Sequence, residues 1–221
     1  MPKPEKDGAK MNEYFSTRFK YDKSRDTIWA EICRHMQRYV QHDAAVIDLG
    51  AGYCDFINNI RAKEKHATDV NEGAGAYARE GVIFHVASCT HMPDVKSSYF
   101  DVAFCSNLFE HLTDEEFGKT LQEIKRILRP QGTLIVLQPN FRFSAREYFD
   151  DYTHKKIFTD VSLKDYLESA GFEVIKSVPG FLPMSFKSKA PKSALLARLY
   201  LLSPIKPFAK QMLLVARKSR D

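Results

Sequence analysis

What this sequence has little of narrows the field first. Its four cysteines, Cys33, Cys54, Cys89 and Cys105, stand singly with no CxxC pair among 221 residues. A disulfide framework or a cysteine zinc site needs paired spacing, so the thiols read as reduced, a cytoplasmic pattern, and no metal is expected. No apolar run approaches the ~20 residues that span a bilayer. The opening MPKPEKDGAKMNEY also lacks the apolar core of a signal peptide, so none is expected. No G-K-[S/T] follows a glycine-rich loop, which excludes a P-loop. Internal repeats are absent as well.

Acidic residues are scarce at one end only. From Phe181 onward nine Lys/Arg face a single acid, Asp221, a net of +8 within a chain total of +5, which leaves −3 elsewhere. The picture is a mildly acidic domain with a basic end. Sixteen Phe and ten Tyr are enough to fill one α/β core. Residues 1–12, polar and carrying Pro2 and Pro4, are expected as a disordered tail. Residues 13–221 read as a single domain with a basic insertion over about 180–210.

Strand-like and helix-like segments alternate through that domain, the mark of a largely parallel sheet. Strands are predicted at 45–50, 66–70, 82–87, 101–107, 133–138, 172–178 and 211–217. Apolar spacing of three to four predicts a helix over 24–40, with His42-Asp43 closing it. Thr113 and Glu116 form a capping box, stapled by Leu112 and Phe117, for a helix with Phe117, Leu121, Ile124 and Leu128 on one face. A second helix is predicted to open at Ser162, with Leu163, Tyr166 and Leu167 inward, and to stop at Gly171. The expected fold is a doubly wound, seven-stranded, mostly parallel α/β sheet.

The stretch VIDLGAGYCDF, 46–56, ends the first strand in two glycines two apart. A tight turn of positive φ explains one glycine; two, with Asp48 at the strand end, point to a ligand lying on bare backbone. A dinucleotide fingerprint wants a third glycine where Asp55 stands, and a carboxylate there repels pyrophosphate. Asp48 instead suits a cationic end such as an amino-acid ammonium. Asp69, at the end of the second strand, suits vicinal ribose hydroxyls, unless it is a helix N-cap. Ser88-Cys89-Thr90, after the third strand, offers polar groups for an adenine. An amino acid, a ribose and an adenine without phosphate describe S-adenosylmethionine (SAM).

Together with ATDVN, FDVAFCSNLFEHL and ILRPQGTLIVLQPN, this stretch resembles the class I SAM-dependent methyltransferases over about 14–217. The resemblance implies a Rossmann-like fold with Asp48, Gly50, Ala51 and Gly52 along the methionine end of SAM. It implies Asp69 and Val70 at the ribose, Ser88 and Cys89 beside the adenine, and Asn107 and Leu108 under the cofactor. Two positions depart from the pattern: Cys54 replaces the motif's third glycine, and Ser88 replaces the usual Asp.

An oxygen or nitrogen acceptor can need a base near its attacking atom. Glu110-His111 follows the fourth strand, and YFDDYTH places Asp151 and His154 after the fifth. His154 is the expected catalytic base, with Asp151 orienting its ring and His111 as the alternative. The bland readings are a loop histidine at 154 and a helix-capping or core histidine at 111. Ser106-Asn107-Leu108-Phe109 lacks the paired prolines of base-amino methyltransferases, which argues against nucleic acid as partner.

The N-terminal MNEYFSTRF, with Tyr14, Phe15, Arg18 and Phe19, reads either as a segment closing over the cofactor or as an ordinary docking helix. The leucines and lysines of the basic insertion read either as a lid with leucines inward or as a peripheral membrane contact. The YFDDYTH and FLPMS features, with this tail, most resemble methyltransferases of bacterial polysaccharide and glycolipid pathways. That resemblance implies a small or lipid-linked acceptor, methylated at a sugar hydroxyl. An inactive SAM-binding scaffold and an RNA methyltransferase using the basic tail are the competing readings.

Overall fold

A computed structural model describes residues 22, 24–183 and 193–219. The expected N-terminal tail, the Tyr14–Phe19 segment, and Lys187, Lys189 and Lys192 lie outside the described residues. Seven strands form one sheet: β1 (Ala45–Leu49), β2 (Glu64–Asp69), β3 (Val82–Val86), β4 (Phe100–Ser106), β5 (Leu128–Pro139), β6 (Phe172–Pro183) and β7 (Ala209–Lys218). Their order is β3-β2-β1-β4-β5-β7-β6. The first five run parallel. β7 is inserted antiparallel between β5 and β6. Strand order reverses between β1 and β4, so a crevice opens beyond their carboxyl ends, and a doubly wound sheet binds its ligand there.

Among the described residues the α-helices are α1 (Ser24–Met36), α2 (Asp55–Asn59), α3 (Asp114–Ile127), α4 (Phe141–Ser144), α5 (Asp160–Ser169) and α6 (Ala194–Leu202). Side chains alternate along the strands, so the central strands feed two cores, one on each face of the sheet. Ile47 and Leu49 of β1 join Leu214 of β7 with Phe117, Leu121 and Ile124 of α3 and Leu163 and Leu167 of α5. Val46 joins Val215 with Trp29, Ile32 and Met36 of α1, Phe56 of α2 and Leu201 of α6. Burying each of the larger apolar side chains contributes ~1.5–3 kcal/mol.

The seven predicted strands all form, with differences at the ends. Leu128 begins β5 rather than closing the helical face, because the chain turns extended before Pro130. β6 runs five residues further than predicted, through three register shifts against β7. The helix predicted over 24–40 becomes 3-10 after Met36. Thr159, not Ser162, caps α5; Ser162 is the reciprocal N3 partner, because both hydroxyls bond the other's backbone N–H. Tyr166 is 44% exposed rather than inward, its ring edge-on to Phe117.

The capping box on α3 is present as predicted. Thr113 accepts from Glu116 N–H, and the Glu116 carboxylate accepts from Thr113 N–H. Thr113→Ala is therefore expected to lower stability by about 1 kcal/mol in urea unfolding, with the slope unchanged. An unshifted midpoint would show that the cap is dispensable.

Candidate active site

The β1–α2 loop is shaped by backbone that side chains disfavour. Gly50 (φ +64°) and Gly52 (φ +51°) are both left-handed, and Cys54 follows them at φ +56° with its thiol buried. A Cβ on Gly50 would lie 3.0 Å from Leu108 Cδ1, whereas one on Gly52 would meet nothing within 4 Å. The first glycine admits a neighbouring loop, and the second opens bare main chain to a cleft. Ala51 N–H donates to Thr68 O (3.0 Å), which ties the loop to β2.

Asp69 does more than end β2. Its Oδ2 accepts from Gly52 N–H (2.9 Å) and its Oδ1 from Asn71 N–H (2.8 Å). The N-cap role falls to Asn71, whose side chain accepts from Gly73 N–H. Burial raises the Asp69 carboxyl, and the backbone donors of Asn71, Gly52 and Val70 oppose that rise. Val70, beside it, is 45% exposed. Asp48 lies buried under the loop; burial pushes its carboxyl well above the usual range, while Ile57 N–H stabilises the charged form. Asp55, the acid in place of a third glycine, is paired with Arg25 at 2.6 Å.

Ser88 Oγ contacts Thr90 Oγ1 (2.8 Å) and accepts from Thr90 N–H (3.2 Å). Cys89 is turned to the core, where its sulfur accepts from Thr120 Oγ1 (3.4 Å). Any adenine contact at Cys89 thus falls to its backbone. Asn107 is left-handed (φ +49°) and accepts from Gln211 Nε2 (2.8 Å), which fixes the turn that presents Leu108 to Gly50.

Two residues beyond Leu108, the chain enters a polar cluster. Lys155 N–H (2.8 Å) and Lys156 N–H (3.1 Å) both donate to Glu110 O, pinning the DDYTH loop against the β4 loop. Glu110, His111 and His154 each bring one ligand-type atom within 4.8 Å of the others. The two imidazole rings meet edge to face at 4.9 Å, and His154 also lies 4.5 Å from the Tyr148 ring. Glu110 is fully buried and neither carboxylate oxygen has a hydrogen-bond partner. Burial pushes its carboxyl up to about 8. Burial, with His154 beside it, holds His111 down to about 4.

Asp151 acts on His111 through a relay. Thr153 Oγ1 donates to Asp151 Oδ1 (2.6 Å) and lies 2.9 Å from His111 Nδ1. With its proton committed to Asp151, that oxygen accepts from His111 Nδ1–H, leaving the lone pair on Nε2. Sequence reasoning noted Glu110 but gave it no role, and missed Thr153. The signal for Glu110 was an acid directly preceding a histidine at the β4 end. Gln138, on β5, is a second buried side chain without a partner; nothing in its sequence context marks it.

The sheet order, the paired left-handed glycines and the Asp69 clamp fit a nucleoside-bearing ligand at the first crossover. The family described as "Methyltransferase domain" matches residues 21–177. The chain belongs to the class I SAM-dependent methyltransferases. An uncharacterised protein of Methanocaldococcus jannaschii is 31% identical over 170 residues, 75% of this chain and 72% of that protein. The phosphoethanolamine N-methyltransferase of Plasmodium falciparum is 23% identical over 141 residues, 58% of this chain and 52% of that one. A SAM-dependent methyltransferase of Archaeoglobus fulgidus shares the fold, with TM-score 0.66 and 19% identity over 95% of this chain and 99% of its own.

This methyltransferase uses SAM, which supplies an electrophilic methyl on a sulfonium. The bare backbone of Gly50 and Gly52 and the carboxylate of Asp69 would hold it. Asp69→Ala removes a charged acceptor and frees the Gly52 loop, so affinity for S-adenosylhomocysteine is expected to fall roughly 10- to 100-fold by calorimetry. Unchanged affinity would place the nucleoside elsewhere.

Proposed function

We propose that this enzyme methylates an oxygen of a small-molecule acceptor, with a sugar hydroxyl as the leading class, presented at Glu110, His111 and His154. The observation that carries the reading is the cluster's position. It follows Leu108, which lies against Gly50, so the chain runs from its contact with the loop of the paired glycines directly into the cluster.

A sugar hydroxyl is a poor nucleophile near neutrality until its proton is drawn off. His111, held unprotonated by burial, has an Nε2 lone pair to receive that hydroxyl, with Asp151 and Thr153 fixing its ring. His154, packed on Tyr148, is the second group that meets the acceptor. Glu110, its carboxyl raised to about 8 by burial, is not proposed as the base. As the acceptor oxygen gains the methyl group, its proton passes to the imidazole pair.

The Plasmodium relative is named for a small acceptor, phosphoethanolamine, methylated at nitrogen. This supports a small-molecule acceptor and makes N-methylation of a small amine the second reading. A lipid-linked acceptor draws support from α6. Leu195, Leu196, Leu199 and Leu202 are 52–64% exposed, and Ile205 and Phe208 beyond them are more so. A lid with its leucines inward does not describe this helix. Arg198 is exposed beside them, while Lys206 donates to the Tyr200 and Leu201 carbonyls and Lys210 pairs with Glu147. Peripheral membrane contact here rests mainly on apolar side chains. No helix among the described residues is long and apolar enough to cross a membrane.

Two outcomes are expected. Against acceptors screened by release of S-adenosylhomocysteine and a mass-verified methyl ether, His154→Ala should lose ~100-fold or more in kcat while cofactor affinity holds. A wild-type rate would reduce His154 to a structural residue. The protein should also co-sediment with phosphatidylglycerol vesicles, and Leu195, Leu196 and Leu199 changed together to Ser should abolish this. Equal sedimentation of both forms would remove the membrane contact.

A further inference from the structure

We infer that Glu110, His111 and His154 form a binding site for one divalent cation of borderline hardness, such as Mn2+, Co2+ or Zn2+. The inference deepens the proposed reading of this cluster. The cation would polarise the acceptor's hydroxyl and lower its pKa, so that its proton passes to solvent as the oxygen takes the methyl group and S-adenosylhomocysteine leaves; the imidazoles then serve as ligands in place of acting as the base.

Three observations carry it. The first is convergence: a carboxylate oxygen and a nitrogen from each of two imidazoles lie within 4.8 Å of one another. Bonds of ~2.1 Å set ligand atoms at most ~4.2 Å apart, so a small side-chain rotation closes the set. The second is the orphaned carboxylate. Glu110 is fully buried, and both its oxygens lack a hydrogen-bond partner. Such a group costs stability unless something pairs with it, and a cation among two imidazoles is what this geometry supplies. The third is tautomer control. The Asp151–Thr153–His111 chain protonates Nδ1 and leaves Nε2 with its lone pair, which is how metal-binding histidines are held.

Two nitrogens and one oxygen favour a borderline cation over the all-oxygen shells that Mg2+ and Ca2+ prefer. Three protein ligands leave positions open for an acceptor oxygen. The expectation of no metal came from cysteine spacing, and that test says nothing about a histidine–carboxylate site assembled from two distant loops.

Co2+ is the probe, because ligation by nitrogen and oxygen gives a visible absorption that titrates directly, and thiolate ligation by a cysteine is separable by its charge-transfer band. Wild-type protein should take up one Co2+ per chain. Glu110→Gln and His154→Asn should each weaken uptake at least tenfold, and Thr153→Val, which only removes the positioning bond, by about tenfold. Unchanged affinity for S-adenosylhomocysteine would confirm that each variant is folded. No uptake by the wild type, or uptake undiminished in folded Glu110→Gln and His154→Asn, overturns the inference. Turnover that survives a strong chelator, in protein without bound metal, overturns it too while leaving oxygen methylation by the imidazole pair standing.

Discussion

The missing side chain at Gly50 is the constraint on which this site depends. Leu108 Cδ1 sits 3.0 Å from where a Cβ would be, so the loop after β4 closes directly onto the loop after β1. Any larger residue would push the two apart or force a left-handed backbone that L side chains resist. Because β1 and β4 are the neighbours at which strand order reverses, this contact sets the width of the crevice. It also sets how far the polar cluster stands from the β1–α2 loop, and group transfer depends steeply on such separations.

Asp69 and Glu110 are buried carboxylates with opposite environments. Asp69 spends both oxygens on backbone N–H groups and so fixes the shape of the loops around it. Glu110 spends neither, although its backbone carbonyl gathers two N–H groups from the DDYTH loop. One is an architectural group tied to the glycine loop; the other is an unsatisfied group in the polar cluster. A folded chain keeps an unsatisfied carboxylate of this kind where it has a use.

Much of the fold was legible because short continuous apolar runs bounded by turns, alternating with period-3.6 helices, are strong local signals of a sheet buried on both faces. The α3 capping box could be read residue by residue. The boundaries that differ were set by features without a local signature: the β5 start at Leu128 follows its pairing with Phe100, and α5 begins early through Thr159. At the site, the glycines were visible because a left-handed turn constrains composition, and Asp69 because it is an acid at the end of a strand. Tertiary contacts were not. That Asp151 reaches His111 through Thr153, or that Glu110 faces His154 from forty-four residues away, is decided by how two loops dock. Tyr166 looked inward by spacing, yet sits at the edge of its helix face, partly in water.

The most direct test of the account is a crystal structure of the protein with S-adenosylhomocysteine bound. The account places the ribose hydroxyls at Asp69, the amino-acid end over Gly50 to Gly52, and the sulfur facing the cluster of Glu110, His111 and His154. A nucleoside bound away from Asp69, or a sulfur turned from that cluster, would contradict it.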